Sequence, residues 1–154
     1  MNEKARGALT LLVFGLIAVA AFYGARYLQS ARDAYTRVQA SADCDLRAGP
    51  CQQLLAGGSV IFSIEPAEIP LMKPLGLAVV TEGLEVAGVM VEIRGLNMDM
   101  GLNRTTLARG GDGRWRGETI LPICSQRRME WEAAVQLETE GRYEVPFPFH
   151  TTRP

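Results

Sequence analysis

Met98 and Met100 stand two residues apart in Asn97-Met98-Asp99-Met100-Gly101. Read as extended chain, that spacing puts both thioethers on one face. Thioether and thiolate donors favour Cu(I) over harder divalent ions, so a soft-metal site is the chemistry this segment could support. The same two side chains would also serve as flexible fillers at the end of a core strand. Two thioethers alone bind weakly, so a third donor is expected, with Cys124 first and His150 second. Cys124 lies in Leu121-Pro122-Ile123-Cys124-Ser125-Gln126-Arg127-Arg128-Met129, a connection between strands. Outside the cytosol a free thiol there has to be buried, paired or used as a ligand.

Other chemistry is sparse. His150 is the single histidine, four residues from the C-terminus and on the solvent face of the last strand by alternation, so any Ser-His-Asp or Cys-His arrangement would rest on it alone. No phosphate-cradling glycine motif, His-Glu-x-x-His or Cys-x-x-Cys occurs, and an enzyme is not expected. Cys44 and Cys51 flank Asp-Leu-Arg-Ala-Gly-Pro and are expected to form a disulfide through a Gly-Pro turn. Their spacing is too long for a thioredoxin-like redox pair, and no βαβ pattern surrounds them. Trp115, Trp131, Phe147 and Phe149 fall on inward positions and read as core, while Arg114, Arg116, Arg127 and Arg128 read as solvated.

These residues need elements to position them and an address. The 154 residues suit one domain plus an anchor. Net charge is −1, with no basic stripe to bind nucleic acid. Between Arg6 and Arg26 lie nineteen uncharged residues, GALTLLVFGLIAVAAFYGA, enough as a helix to match the ~30 Å hydrocarbon core of a bilayer. The competing reading is a cleavable signal peptide, with Lys4 and Arg6 as its basic region and Ala18-Val19-Ala20 as its cleavage site. The anchor is preferred because the apolar run continues through Phe22 and Tyr23. The chain then reads as a tail (1–6), a transmembrane helix (7–26), a stalk and cysteine-pinned linker (27–58, helical to about Ala40) and a β domain (59–154). A disulfide places that domain outside the cytosol, which in a Gram-negative cell means a single-pass inner-membrane protein with its C-terminal domain in the periplasm.

Within the domain, period-two patterning marks strands at 59–65, 75–82, 86–94, 103–108, 114–121, 129–139 and 142–151. Val89, Val91 and Ile93 point inward, opposite Met90, Glu92 and Arg94. Met129, Trp131, Ala133, Val135 and Leu137 point inward, opposite Glu130, Glu132, Gln136 and Glu138. Tyr143, Val145, Phe147 and Phe149 share a face, and Pro146 and Pro148 opposite them mark an edge or irregular strand. Gly110-Gly111-Asp112-Gly113 suits a hairpin. Seven short strands with turns every eight to twelve residues predict an all-β fold, an immunoglobulin-like antiparallel β-sandwich behind the transmembrane helix and stalk, with a small open barrel as the alternative.

A short tail, one span, a β-sandwich and Met98-Asp99-Met100-Gly101 together resemble the small anchored extracytoplasmic proteins of the FixH-like and YtkA-like groups. The resemblance implies copper handling or cytochrome oxidase assembly, by transient Cu(I) binding or by docking of a metallochaperone. Implied partners are a copper chaperone or an oxidase subunit, beside the membrane itself, and only Met98 and Met100 carry over as metal-site residues. The alternative is a non-metal accessory or structural subunit of a membrane protein complex.

Overall fold

The computed structural model describes the backbone of residues 3–33, 35–41 and 44–153, and the side chains of 12–28, 35–41 and 44–153. The chain divides into two units, Met1–Ala34 and Tyr35–Pro154. The first is one α-helix, α1 (Glu3–Asp33). Its large apolar side chains, among them Leu12, Phe14, Leu16, Ile17, Val19, Phe22 and Tyr23, are exposed and point to all sides. Among the described residues, no helix is long and apolar enough to cross a membrane. The side chains of the expected tail (1–6) and of the start of the expected span (7–11) lie outside the described residues.

The second unit is all-β. Nine strands, β1 (Thr36–Arg37), β2 (Cys51–Leu55), β3 (Gly58–Glu65), β4 (Pro74–Glu82), β5 (Gly88–Gly95), β6 (Asn103–Arg109), β7 (Trp115–Ile120), β8 (Arg128–Glu138) and β9 (Arg142–Thr152), form one curled sheet. Their order is β1-β9-β8-β5-β6-β7-β4-β3-β2, antiparallel except where β1 runs parallel to β9. The curl turns at β6. Its ladder with β5 is long, from Val89↔Leu107 to Ile93↔Asn103, but with β7 it keeps only Ala108↔Arg116 and Arg109↔Trp115. Beyond that the two strands splay. Leu107 reaches into the space that a side chain on Gly117 would need, and the Asn103 amide bridges the gap to the Ile120 carbonyl and the Thr119 hydroxyl. The sheet thus folds into two layers with a shared core. Phe62 of β3 meets Phe147 of β9 across it, ring centroids 5.2 Å apart, and Trp131 stacks on Phe149 while donating to the Thr151 hydroxyl. This is a sandwich-like arrangement.

All seven expected strands are present, shifted by two residues at most, because alternation of apolar and polar side chains sets which residues face the core. Two strands were not expected. Helix continues into the expected stalk but stops at Asp33, short of the expected Ala40; β1 follows, and at the end of the cysteine-pinned linker β2 pairs with β3 through Cys51↔Phe62 to Leu55↔Gly58. Leu46 and Cys51 enter the core. Cys51 is bonded to Cys44 at a Cα–Cα distance of 5.4 Å, and Cys124 is the free, buried cysteine.

A further correction concerns the outer face of β5, β8 and β9. Glu92, Glu132 and Gln136 do point away from the core, as alternation requires, yet they are not solvated. They are 8, 6 and 5% exposed, and Glu144 is 9% exposed. Arginines from neighbouring strands lie over them. Arg37 donates to Glu132 at 2.5 Å and to Glu144 at 2.6 Å, Arg104 pairs with Glu92 at 3.2 Å, and the Gln136 amide donates to both Glu92 and Glu144. Arg94 lies 2.8 Å from Glu144 without a well-directed hydrogen bond. Burial alone would push the Glu144 carboxyl up, but hydrogen bonds from Gln136 and Arg37 and the close positive charge of Arg94 outweigh it and hold it below the ordinary range.

Two outcomes follow from these contacts. Replacing Arg37 by alanine is expected to cost roughly 1–2 kcal/mol in urea denaturation, below the 3–5 kcal/mol of a fully buried pair because Arg37 is half exposed and Arg94 still faces both acids. Because the Glu144 pKa is depressed on folding, its contribution is present in full above the unfolded carboxyl pKa of about 4.3 and is lost as pH falls through the folded value. Urea midpoints measured from pH 7 down to pH 3 should therefore fall more steeply in the wild type than in Glu144→Gln. Reducing the Cys44–Cys51 bridge, which closes an eight-residue loop, is expected to remove at most about 2.5 kcal/mol. A wild-type urea midpoint unmoved by reductant would show that the bridge contributes nothing.

Candidate metal centre

The strongest cluster of soft donors lies at one end of the sandwich, where β5 ends, β6 begins, β7 ends and β8 begins. Residues 96–102 join β5 to β6 and residues 121–127 join β7 to β8. Met98 and Met100 are not on a strand, as their spacing led us to expect. The Asp99 carboxylate caps the Gly101 N–H at 2.9 Å and turns the segment into a loop. The loop folds back because Asn97 grips the start of β8 from both sides, donating to the Arg128 carbonyl and accepting from the Glu130 N–H, while the Leu96 N–H reaches the Glu130 carbonyl.

Gly95 makes that return feasible. A Cβ there would fall on the Met98 carbonyl oxygen and would sit 3.2 Å from both Met100 Cγ and Met129 Cε. The close approach brings both loop methionines against the core, each partly buried. Opposite them, the second loop carries Cys124, 6% exposed, its carbonyl held by the Arg153 guanidinium at 3.3 Å. The Cys124 thiol donates to Met98 Sδ at 2.9 Å.

The structure therefore brings the sulfur atoms of Met98 and Cys124 together and sets Met100 at the close approach over Gly95, and it does not bring His150. Met129 pairs with Thr151 across β8 and β9 and both face the core, so His150, one residue earlier, faces the other side of the sheet opposite Glu130. The sheet separates its imidazole from the sulfur atoms. Cys44 and Cys51 are joined to each other and are not donors. Among the described residues, no group of three or more His, Cys, Asp and Glu side chains is placed to hold a metal ion. The donors that do converge are thiol and thioether. Metal–sulfur bonds of about 2.3 Å spread two ligands of one ion to about 4 Å apart, so the Cys124–Met98 pair would open by roughly 1 Å to admit an ion. Met98, on a loop and half-buried, can supply that movement.

Met129 escaped the sequence reading as a donor. Its alternation marked it as core, where it is (2% exposed), and nothing local in the sequence indicates that a loop thirty residues away lands beside it. A second feature of this end is apolar exposure. Among the described residues of this unit six large hydrophobic side chains are exposed; five (Met72, Leu96, Leu102, Ile120 and Ile123) lie at this end and the sixth, Leu54, lies elsewhere. The Met72 N–H donates to the Leu121 carbonyl and ties the β3–β4 connection to the same rim. Such a concentration is what an interaction surface presents.

Comparison of the chain with protein-family models, curated proteins and solved structures finds no match.

Proposed function

We propose that this protein is a membrane-anchored extracytoplasmic domain, immunoglobulin-like in type, that assists copper handling or cytochrome oxidase assembly by holding Cu(I) transiently or docking a metallochaperone. The observation that carries the reading is the approach of Cys124 to Met98 at 2.9 Å, with Met100 on the same loop folded back over Gly95. A thiol and two thioethers from two separate loops form a donor set suited to Cu(I) and poorly suited to Zn(II), which relies on thiolate, imidazole and carboxylate. The half-buried methionines give an ion a way in, and the rim of Met72, Leu96, Leu102, Ile120 and Ile123 gives a delivering or receiving protein an apolar surface to meet. The chain joins the sheet at β1, beside Tyr143 and Glu144, about 25 Å along β9 from the sulfur-bearing end.

Anchoring is supported by the nineteen-residue uncharged run and by a helix whose apolar side chains are exposed on all sides, the pattern of a helix whose surroundings are themselves apolar. Extracytoplasmic placement is supported by the Cys44–Cys51 bridge. A non-metal accessory subunit is the second reading, and the same apolar rim favours it, since that surface would serve a protein partner with or without an ion.

Full-length protein in detergent should bind one Cu(I) in preference to Zn(II) in an anaerobic titration against a colorimetric Cu(I) competitor. Met98→Leu/Met100→Leu and Cys124→Ser should each weaken that binding. The double leucine change conserves volume and should cost less than about 1.5 kcal/mol in stability, which separates a ligand role from a packing role. Equal affinity in all three proteins, or none in any, would remove the metal and leave the accessory-subunit reading. Anchoring is checked independently: the full-length product should resist carbonate extraction and be digested by protease only after the outer membrane is permeabilised. A soluble mature form beginning near Ala21 would contradict it.

A further inference from the structure

We infer that the Cu(I) site is built in two levels, with Met129 as its inner ligand and Gly95 as the residue that lets the upper level close on it. This rests on the Cu(I) reading of the same end and adds a donor and a positioning residue to it. The geometry has two parts. Met98 and Met100 form an outer level on a loop, each half-buried, while Cys124 and Met129, 6 and 2% exposed, form an inner level fixed to the core. One contact, Cys124 to Met98, joins the levels at one side. The other side meets over Gly95, where Met100 Cγ and Met129 Cε approach the same point, each 3.2 Å from where a Cβ would stand.

The absence of that Cβ has no other use in the strand. Gly95 ends β5 opposite Trp131, a position where a β-branched or aromatic residue would pair better in a sheet. Glycine there leaves room for the Met98 carbonyl and for the methyl end of Met129. Met129 is also the residue whose replacement can be read cleanly. A thioether in a core is exchangeable for leucine on packing grounds, so only a role for its sulfur makes the exchange matter. Three thioethers and one thiol account for both levels, and a thioether-rich set is soft-donor chemistry of the kind that suits Cu(I).

The test uses the full-length protein loaded with one equivalent of Cu(I), with X-ray absorption at the copper edge as the first readout. Four sulfur neighbours are expected in the wild type and three in Met129→Leu, and the Cu(I) affinity of the variant should fall by at least about tenfold, the lower end of the range for groups that only support a ligand. Gly95→Ala removes no sulfur but pushes the loop off the inner level, and it should lower both the affinity and the sulfur count. Met90→Leu, on the outer face of β5, serves as the control and should change neither. Thermal melts on each variant separate loss of ligand from loss of fold. If Met129→Leu proves unfolded, the wild-type count alone decides between four and three sulfurs. A wild type that binds Cu(I) with three sulfurs, or a folded Met129→Leu with unchanged affinity and count, overturns this inference while leaving the Cu(I) reading intact. A wild type that binds no Cu(I) overturns both.

Discussion

β8 is buried along both of its faces, and most of the domain is arranged to make that tolerable. Its inward residues Met129, Trp131, Ala133, Val135 and Leu137 close the core against the second layer. Its outward residues include Glu132 and Gln136, which could not be left unpaired in so little solvent. Arginines supplied by β1 and β5 and the carboxylates of β5 and β9 form one connected network over that outer face. The two-residue strand β1 owes its place to this constraint. Two backbone partners would not hold so short a segment, but Arg37 bonded to two buried carboxylates does, and the folded unit therefore starts at Tyr35.

The curl of the sheet leaves two edges, and each is managed by local chemistry. On β9 the Glu144 carbonyl points outward to accept from the Val38 N–H, so by alternation Pro146 and Pro148 turn their backbone nitrogens toward the same open edge. Neither has a hydrogen to offer. The strand is thereby protected against pairing with a further strand beyond β1. At the other edge, β2 is five residues long and tied by the Cys44–Cys51 bridge, and the Gln53 amide donates to the Gln39 carbonyl from the segment after β1. The chain between β1 and β2 therefore touches both edges. It is a working part of the domain, although its composition gave it the look of a connector.

The sulfur-bearing end depends on the same frame. β5 and β8 pair in register up to Gly95↔Trp131, and this fixes where the loop after β5 must turn. Asn97 then completes the hydrogen bonding of the first residues of β8, which commits the loop to lie across Met129 and toward Cys124. Removing the side chain at position 95 is the concession that allows it. The approach of Met98 to Cys124, and of Met100 and Met129 to the same point over Gly95, is thus a consequence of strand register. The Asp99 turn orients the two loop methionines after that register is set.

Period-two alternation was enough to place all seven principal strands, their inward residues and the edge character of β9, because which face is buried is set by side-chain chemistry repeated every second residue. The Cys44–Cys51 bridge was legible for a similar reason: a short loop with a Gly-Pro turn limits its own closure. Met98, Met100 and Cys124 could be named as soft donors, and alternation put His150 on the outer face of its strand, where it stands, but the sequence could not say that the sulfur donors meet. The meeting depends on register, on a missing Cβ at Gly95 and on the grip of Asn97, none of which leaves a periodic trace. β1 and β2 were illegible because one is held by long-range ion pairs and the other by a hairpin whose residues, Cys-Gln-Gln-Leu-Leu, carry little strand preference. The same holds for the buried Glu132 and Glu144: a charged residue on an outward position reads as solvated, and only the folded chain brings arginines from distant strands to cover it.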